Sequence, residues 1–334
     1  MTSYSITAVP GLPEVTEGTD LAALIAEHAD LQEGDVVVVT SKVVAKAEGR
    51  VRVLAPGEVR DDAVRPETDR VVARRGPTTI VRTRQGLVMA AAGVDASNTA
   101  PGTVVLLPED PDASARALRV ALQQHAGATL AVVVSDTSGR AWRTGQTDIA
   151  IGVAGLVVLD DHAGRTDSYG NPLVVTAPAV ADQVAGAAEL ASGKLSGRPV
   201  TVVRGLAGFV LAPDEHGPGA AALVRDESGD LFGYGTREAV VRAVAPSGDR
   251  RGFGAPAGPA ELGAALEEAL GPTAEVRTVD ALAVTVRTSA GDARAAGRAE
   301  GGAVAVARAH GWLLDEDRDS AGTAEVLRFR PRTP

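Results

Sequence analysis

The chain has 334 residues, of which 45% are hydrophobic, 3% are aromatic and none is cysteine. Its 43 acidic residues outnumber its 33 basic residues, and an acidic chain without a long basic run binds nucleic acid and anionic membrane surfaces poorly. The lack of cysteine excludes disulfides, thiolate nucleophiles and Cys-ligated metals, and the lack of a signal peptide or long apolar run predicts a soluble, cytoplasmic protein.

Short valine-rich runs, bounded by Gly, Pro or Asp, predict strands that are buried on both faces. These runs are Val36–Thr40, Val104–Leu107, Leu130–Val134, Leu156–Leu159, Leu173–Thr176 and Val200–Val203. Apolar residues at helical spacing predict helices at Asp20–Ala29, Ser114–His125, Val180–Ser192 and Arg237–Ala245. Because helices and strands do not alternate in a regular βαβ rhythm, we predict an α+β fold rather than a doubly wound sheet.

The segment PSGDRRGFGAPAGP, rich in Gly, Pro and charge, changes the composition near the C-terminal quarter of the chain. We interpret residues 246–258 as a linker between a domain of residues 1–245 and a small α+β domain of residues 259–334. The small domain is predicted to contain helices at Pro259–Leu270 and near Gly302–His310, strands near Val276–Val279 and Leu282–Val286, and a last strand in AEVLRFRP.

The stretch VVVSDTSGRAWRTGQTDIAIG places polar side chains directly after an apolar run, where the predicted strand ends. Asp136 and Thr137 offer a carboxylate and a hydroxyl, which suit a hard cation such as Mg²⁺ or Mn²⁺. An Asp that caps the next element has the same pattern. Arg140, Arg143 and Gln146 follow, and they fit either an anion-binding group or an ordinary charged surface.

Two other segments, taken together with Asp136, support the prediction of a binding site. In AAAGVDASNTAPG, Asp95 and Asn98 offer a second oxygen ligand and an amide, although alone they resemble an Asx turn. In VVVVTSKVVAKAEGR, Ser41 and Lys46 follow a buried strand and can bind phosphate oxygens, although a capped turn with solvated lysines has the same pattern. Together these segments favour a metal-assisted phosphate or nucleotide site.

Several other sequence patterns are weaker evidence for a functional site. VPGLPEV, at Val9–Val15, is a rigid turn that fits a chain-entry segment. SGKLSG around Lys194 lacks the Ser or Thr of a phosphate-binding loop, because Leu195 follows the lysine. The groups at Asp160–His162 and Asp214–His216 are interpreted as solvated loops, and the wide spacing of the five histidines argues against zinc.

Seven segments occur in an order that closely resembles the coenzyme F420-0:L-glutamate ligase family, the CofE-like proteins that also form the N-terminal domain of FbiB-type proteins. The segments are GLPEV, GDVVVVTSKVVAKAEGR, GLVMAAAGVDASN, LPEDPDASARALR, SDTSGRAWRTGQTDIAIGVAGL, DSYGNPLVVT and VADQVAGAAELASGK. The resemblance covers Ser5 to Ala245. It implies a CofE-like fold in an intertwined homodimer, and a ligase that uses GTP to add one or more L-glutamates to coenzyme F420-0.

The resemblance also implies two divalent cations, Mg²⁺ or Mn²⁺, with K⁺ as an optional third ion. The residues that match the family's GTP contacts are Leu12, Pro13, Glu14, Val15, Ser41, Lys46 and Asn98. Asp95 and Asp136 match metal ligands, and Thr137 matches a ligand of the second cation. Arg140 and Arg143 are our own assignment, as catalytic cations for the anionic substrate or the transferred phosphoryl group. No role is carried over to Lys194, because a protonated lysine does not ligate a cation.

The implied reaction passes through an acyl phosphate and gives γ-glutamyl F420, GDP and phosphate, without a covalent enzyme nucleophile. Too few residues follow Asp249 for the flavin-binding domain of FbiB-type proteins, so no FMN is expected. Two alternatives stay open. One is a ligase or phosphohydrolase that acts on a different carboxylate substrate, and the other is a non-catalytic protein that binds GTP or F420.

Overall fold

The computed structural model describes residues 3–97, 99–280, 283–288, 293–315 and 326–332. The chain divides into two compact units, Met1–Val224 and Arg225–Pro334. Both units mix helices and strands without regular alternation, which confirms the α+β class. In the described ranges no helix is long and apolar enough to cross a lipid bilayer. The intertwined homodimer and the CofE-like details of the fold stay predictions.

The first unit has five helices and ten strands within its described residues. The helices are α1 (Leu21–His28), α2 (Ser41–Ala47), α3 (Arg60–Val64), α4 (Pro111–Ala126) and α5 (Val180–Ser192). The strands are β1 (Ser5–Ala8), β2 (Val36–Thr40), β3 (Val51–Val53), β4 (Thr68–Arg75), β5 (Thr78–Thr83), β6 (Val88–Ala90), β7 (Thr103–Val105), β8 (Ala131–Gly139), β9 (Gln146–Ala154) and β10 (Val200–Arg204).

A five-stranded sheet in the order β1-β10-β2-β8-β9 forms the centre of this unit. β2 and β8 are parallel, whereas the other neighbouring pairs are antiparallel. Alternate residues of β2 and β8 enter two different cores, as the pleat of a strand requires. One core contains Val37, Val39 and α1, α2 and α4, and the other contains Val36, Val38 and α5. The smaller sheets are β3-β7 and β4-β5-β6.

The predicted elements fit best where capping residues mark their ends. The Val36–Thr40 strand and the Val180–Ser192 helix have the predicted bounds, with Gly193 as the C-cap of the helix. Two predicted strands are wrong. Leu156 makes only an isolated bridge to Val210, and Val174 and Val175, in the Leu173–Thr176 run, are exposed and pair with no sheet in the described structure.

The second unit has its own core. Its helices are α6 (Thr236–Val244), α7 (Pro259–Leu270) and α8 (Ala293–Ala309), and its strands are β11 (Ala274–Asp280), β12 (Ala283–Thr288), β13 (Trp312–Leu314) and β14 (Val326–Pro331). The strands form an antiparallel sheet in the order β11-β12-β14-β13, which packs on α7 and α8 through Trp312, Phe329, Leu262 and Leu266. Leu282, Ala324 and Glu325, which belonged to predicted strands, lie outside the described residues.

This second unit starts before the predicted linker. α6, which the prediction assigned to the first domain, packs on α8, and the Arg308 guanidinium donates to the carbonyl of Ala245 (3.0 Å). The segment interpreted as a linker is folded, since the Phe253 ring meets the Tyr234 ring edge-on at 4.9 Å between centroids. Its glycines and prolines therefore serve tight turns within the unit.

An ion pair between a buried carboxylate and a partly exposed arginine joins two strands at one end of the central sheet. Asp35 precedes β2 and is 0% exposed, and Arg204 ends β10. The Arg204 Nε and Nη2 atoms donate to the two carboxylate oxygens of Asp35, each at 2.8 Å, and the Gln32 N–H donates to the same carboxylate (2.8 Å). This pair joins the two strands next to the position where Val203 of β10 lies opposite Val36 of β2.

We expect the substitution Arg204→Met to lower the free energy of unfolding by about 2–3 kcal/mol, because it leaves the Asp35 carboxylate buried without its cation. The loss is smaller than for a fully buried pair, since Arg204 is partly exposed. Urea unfolding followed by far-UV circular dichroism measures it. The control is Arg198→Met at an exposed arginine; equal effects of the two substitutions would contradict the role of the pair.

Candidate functional site

The candidate site forms where β8 continues beyond the end of β2. The two strands pair from Val36 opposite Ala131 to Thr40 opposite Ser135, and there β2 ends. β8 runs on to Gly139, and beyond Ser135 it pairs with β9 alone among the described residues. Asp136 and Thr137 therefore do not follow a strand end, as predicted, but lie within β8 on a stretch whose other edge is open. The N-terminal turn of α2 occupies the space beside this edge.

Asp136 points to the α2 side of the sheet. The Ser41 hydroxyl, in the first turn of α2, donates to Asp136 Oδ1 at 3.1 Å. Asp95 lies on the same side, where the Lys42 ammonium contacts Asp95 Oδ2 at 2.6 Å and also donates to the Ser97 hydroxyl and carbonyl. α2 thus brings Asp95 and Asp136, two predicted metal ligands, to one place.

The loop that carries Asp95 has an unusual backbone. Ala91 and Ala92 have φ angles of 50° and 53°, and Gly93 follows with a φ of 70°. This left-handed conformation costs each alanine about 1 kcal/mol or more, and burial of both side chains in a small core holds it in place. Beyond the turn, paired backbone hydrogen bonds with Val105 (3.0 and 2.8 Å) fix Asp95. The loop is therefore set in position before any ligand binds.

The carboxyl groups on this side differ in their proton affinity. Burial raises the pKa of Asp136 to about 6, and the charges of Asp148 and Asp95 add to the rise, although hydrogen bonds from the Ser41 hydroxyl and the Thr137 N–H oppose it. Burial also raises the pKa of Asp95, but the hydrogen bonds from Lys42 and Ser97 outweigh it and hold that pKa below its ordinary value. Asp136 is thus a carboxyl group whose charge lacks a full counterion.

Thr137 points to the opposite side of the sheet, because neighbouring residues of a strand face opposite ways. Asp148 lies directly across from it on β9, is buried, and accepts hydrogen bonds from the Thr137 hydroxyl (2.8 Å) and the Ser135 hydroxyl (3.1 Å). Lys194 follows α5 and donates to the Thr137 hydroxyl oxygen, and Glu189 on α5 lies 3.3 Å from the Lys194 ammonium. The open edge of β8 therefore separates two polar clusters, one on each side of the sheet.

The predicted nucleotide turn reaches the site through α2. Leu12 and Val15 pack into the α1–α4 core, whereas Glu14 is exposed and its carboxylate lies 2.5 Å from the Lys46 ammonium. Lys42 and Lys46 are four residues apart on α2, so both project from the same side of the helix. One lysine meets the Asp95 loop and the other meets the turn at residues 12–15.

The remaining predicted residues lie apart from these clusters. Arg140 and Arg143 belong to the exposed β8–β9 turn, and Gln146 starts β9 opposite Gly139. The Arg140 guanidinium donates to the Thr144 carbonyl within that turn (3.0 Å). No hydrogen bond or ion pair joins them to Asp136 or Thr137 in the part of the chain that the structure describes. Asn98, a predicted GTP contact, lies outside the described residues.

The residues present fit one hard cation beside Asp95 and Asp136. A divalent cation there would offset both the burial of Asp136 and its repulsion by Asp95, and Mg²⁺ at phosphate sites commonly takes one or two carboxylates, with water and phosphate as the other ligands. The described residues hold no group of three His, Cys, Asp or Glu side chains that could bind a metal on their own. A second cation on Thr137 fits poorly, because the Lys194 ammonium contacts that hydroxyl oxygen and lies within 3.6 Å of both carboxylates of its cluster. Lys42, in contrast, pairs with Asp95 and leaves Asp136 without an ion pair among the described residues.

Sequence reasoning missed Lys42, Asp148 and Glu189 and set Lys194 aside. Asp148 was visible in the motif TGQTDIAIG, but its partner became apparent only with the β8–β9 register, which pairs it with Thr137. Lys42 stood beside Ser41 in the motif TSK and was overlooked in favour of Lys46. Glu189 was the hardest of these residues to predict, because its position on an alanine-rich helix does not indicate that it lies near β9.

Comparison with known proteins identifies the family. Residues 11–205 match the profile of a family described as F420-0:Gamma-glutamyl ligase. Coenzyme F420:L-glutamate ligase of Methanopyrus kandleri is 41% identical over 245 residues, which cover 68% of this chain and 96% of the relative. The proteins of the same name from Halobacterium salinarum (strain R1) and Archaeoglobus fulgidus are 43% and 40% identical, and each match covers 59% of this chain and 85% or 86% of the relative. The chain belongs to this family.

We expect Asp136→Asn to raise the free energy of unfolding by about 2–3 kcal/mol at pH 7.5 in metal-free protein, since one pKa unit corresponds to about 1.4 kcal/mol. The folded-state pKa of about 6 lies above the ordinary value of 3.8, so ionised Asp136 destabilises the fold. The penalty develops as pH rises from about 4 to 6 and is complete above that range.

Urea unfolding in EDTA at pH 7.5 and pH 4.5 measures this gain, which should fall to about 1 kcal/mol at the lower pH. Asp161→Asn, at an exposed loop position, serves as the control and should change stability by less than about 0.5 kcal/mol at either pH. A gain for Asp136→Asn that is equal at both pH values would show that ionisation is not its cause.

Proposed function

We propose that this member of the F420-0:gamma-glutamyl ligase family is an amide-bond-forming ligase that adds L-glutamate to coenzyme F420-0 at the expense of GTP. The observation that carries the proposal is the convergence of Ser41, Lys42, Asp95 and Asp136 at the open edge of β8, inside the region matched to the family. Hydroxyl, ammonium and carboxylate groups in this arrangement suit a metal-bound phosphate chain.

The nucleotide would lie along α2. Lys42 and Lys46 provide two ammonium groups for phosphate oxygens, and Ser41 provides a hydroxyl donor. The two ammonium groups are paired with Asp95 and Glu14, so an acid already holds each lysine in place, and phosphate oxygens can replace that acid as the partner of the lysine. The turn at residues 12–15 would then contact the rest of the nucleotide.

One divalent cation, Mg²⁺ or Mn²⁺, would be held by Asp95 and Asp136, where it would neutralise charge on the phosphoryl group during transfer. The chain's own residues would hold the metal-binding carboxylates in the orientation that the reaction requires. Ser41 keeps the Asp136 carboxylate aimed at the open edge, and the Val105 backbone holds the Asp95 loop in place. Such preorganisation is a large part of catalysis in phosphoryl transfer.

The chemistry needs an activated carboxyl group. The terminal carboxylate of F420-0 attacks the γ-phosphorus of GTP, the bond from that phosphorus to the β–γ bridging oxygen breaks, and GDP leaves. The α-amine of glutamate then attacks the carbonyl carbon of the acyl phosphate, a C–N bond forms, and phosphate leaves with the C–O electron pair while the amine loses a proton. Arg140 and Arg143, on the exposed turn between β8 and β9, are proposed to contact the anionic substrate.

The full chain, incubated with F420-0, L-glutamate, GTP and Mn²⁺, is expected to give a product heavier by one or more glutamyl units in mass spectrometry. Asp136→Ala should abolish the product, because the phosphates lose their metal ligand. Asp161→Ala, at an exposed acid outside the site, should retain full activity.

Three outcomes would contradict this proposal in whole or in part. GDP release without F420-0 and glutamate would indicate a phosphohydrolase. GTP binding without any mass increase would indicate a different acceptor or a protein that only binds the nucleotide. Full activity of Asp136→Ala would remove the metal site from the mechanism.

Lys46→Met is expected to raise the KM for GTP by about tenfold or more, the effect of losing one charge-assisted hydrogen bond of about 1.5–3 kcal/mol. The KM for glutamate should change little. Steady-state kinetics at saturating F420-0 separates the two constants, with Arg198→Met as a control cation outside the site. Equal rises in both KM values would show that Lys46 acts on the fold or the acceptor rather than on the nucleotide.

A further inference from the structure

Lys194 occupies an unusual position for a residue that leaves a helix. α5 ends at Gly193, whose φ of 62° turns the chain, and the Lys194 side chain returns to the β8–β9 pair. Its ammonium donates to the Thr137 hydroxyl oxygen and lies 3.3 Å from Glu189 Oε1 and 3.6 Å from Asp148 Oδ1. An ammonium has three N–H groups, and three oxygens from three different elements face it here.

These three oxygens are also the kind of ligand set that a small hard cation takes: two carboxylates and a hydroxyl. In this chain the set is already filled by a positive charge that belongs to the protein. A divalent cation at the same position would meet the lysine at close range and repel it. Thr137 can therefore serve a second metal ion only if Lys194 moves away.

The balance of charge points the same way. The two clusters at the open edge of β8 contain four carboxylates, from Asp95, Asp136, Asp148 and Glu189, and two ammonium groups, from Lys42 and Lys194. With the acids ionised, one divalent cation neutralises this set. A second divalent cation would give this set of groups a net positive charge before the negative charge of the nucleotide is added.

We propose that the Lys194 ammonium takes the place of the second divalent cation, so that this chain binds its nucleotide with one metal ion and one lysine. The inference rests on the proposed function, since it assumes that a metal–nucleotide complex binds at this edge. Lys194 would then hold Thr137, Asp148 and Glu189 in a fixed arrangement and place its charge beside the phosphates. Asp95 and Asp136 would hold the single cation on the other side of the sheet.

The test counts Mn²⁺ on the full chain in the presence of the non-hydrolysable analogue guanosine 5′-(β,γ-imido)triphosphate, by equilibrium dialysis and electron paramagnetic resonance. Wild type and Lys194→Arg should bind one Mn²⁺ per chain and give the spectrum of an isolated ion. Lys194→Glu and Lys194→Gln should bind a second Mn²⁺, because the three oxygens become available, and two nearby ions give a spin-coupled spectrum. Arg198→Glu makes the same charge change at a nearby exposed position and should stay at one ion.

The outcomes separate this inference from the proposed function. Two coupled ions in the wild type would overturn the role of Lys194 and leave the ligase proposal intact. One ion in both Lys194→Glu and Lys194→Gln would show that the lysine does not exclude a metal, and would overturn it as well. No nucleotide-dependent Mn²⁺ in any variant would refute the metal–nucleotide site itself, and with it both proposals.

Discussion

The unequal length of two parallel strands is the constraint on which the site depends. β2 ends at Thr40, whereas β8 continues for four residues beyond Ser135. A strand edge without a partner exposes backbone groups and lets side chains approach from the side. Here the first turn of α2, rather than a neighbouring strand, lies beside that edge, and its Ser41 hydroxyl donates to Asp136. At the other end of the sheet the Asp35–Arg204 ion pair joins β2 to β10.

Each acid of the site is stabilised to a different degree, and the lysines explain the difference. Lys42 pairs with Asp95, and the Lys194 ammonium lies between Asp148 and Glu189, so each of these three carboxylates has a cation beside it. Asp136 has only a hydroxyl and a backbone N–H, and its pKa rises to about 6. A group that destabilises the fold yet stands at the centre of the polar clusters is typical of a site shaped for a ligand, because the ligand supplies the missing charge.

The features that could be predicted from the sequence are those that residues close together in the chain determine. The α5 and α7 bounds were predictable because Gly193 and Pro259 stand at their ends, and β2 because it consists of four consecutive valines and a threonine. β9 was missed, since polar residues begin it, and without β9 the pairing of Thr137 with Asp148 had no basis. β4 and β5 were missed because arginines and threonines alternate with their few apolar residues. Contacts such as Lys42 with Asp95, or Lys194 with Thr137, join positions more than fifty residues apart and follow from topology alone.

All side chains of the two polar clusters come from the first unit, which contains the whole matched region. The second unit, Arg225–Pro334, lies beyond that match and has a separate core around Trp312 and Phe329. A unit with its own core does not need the central sheet to bury its apolar surface. Every side chain described at the β8 edge therefore lies in the unit that carries the family match, and the second unit buries its apolar residues around its own sheet.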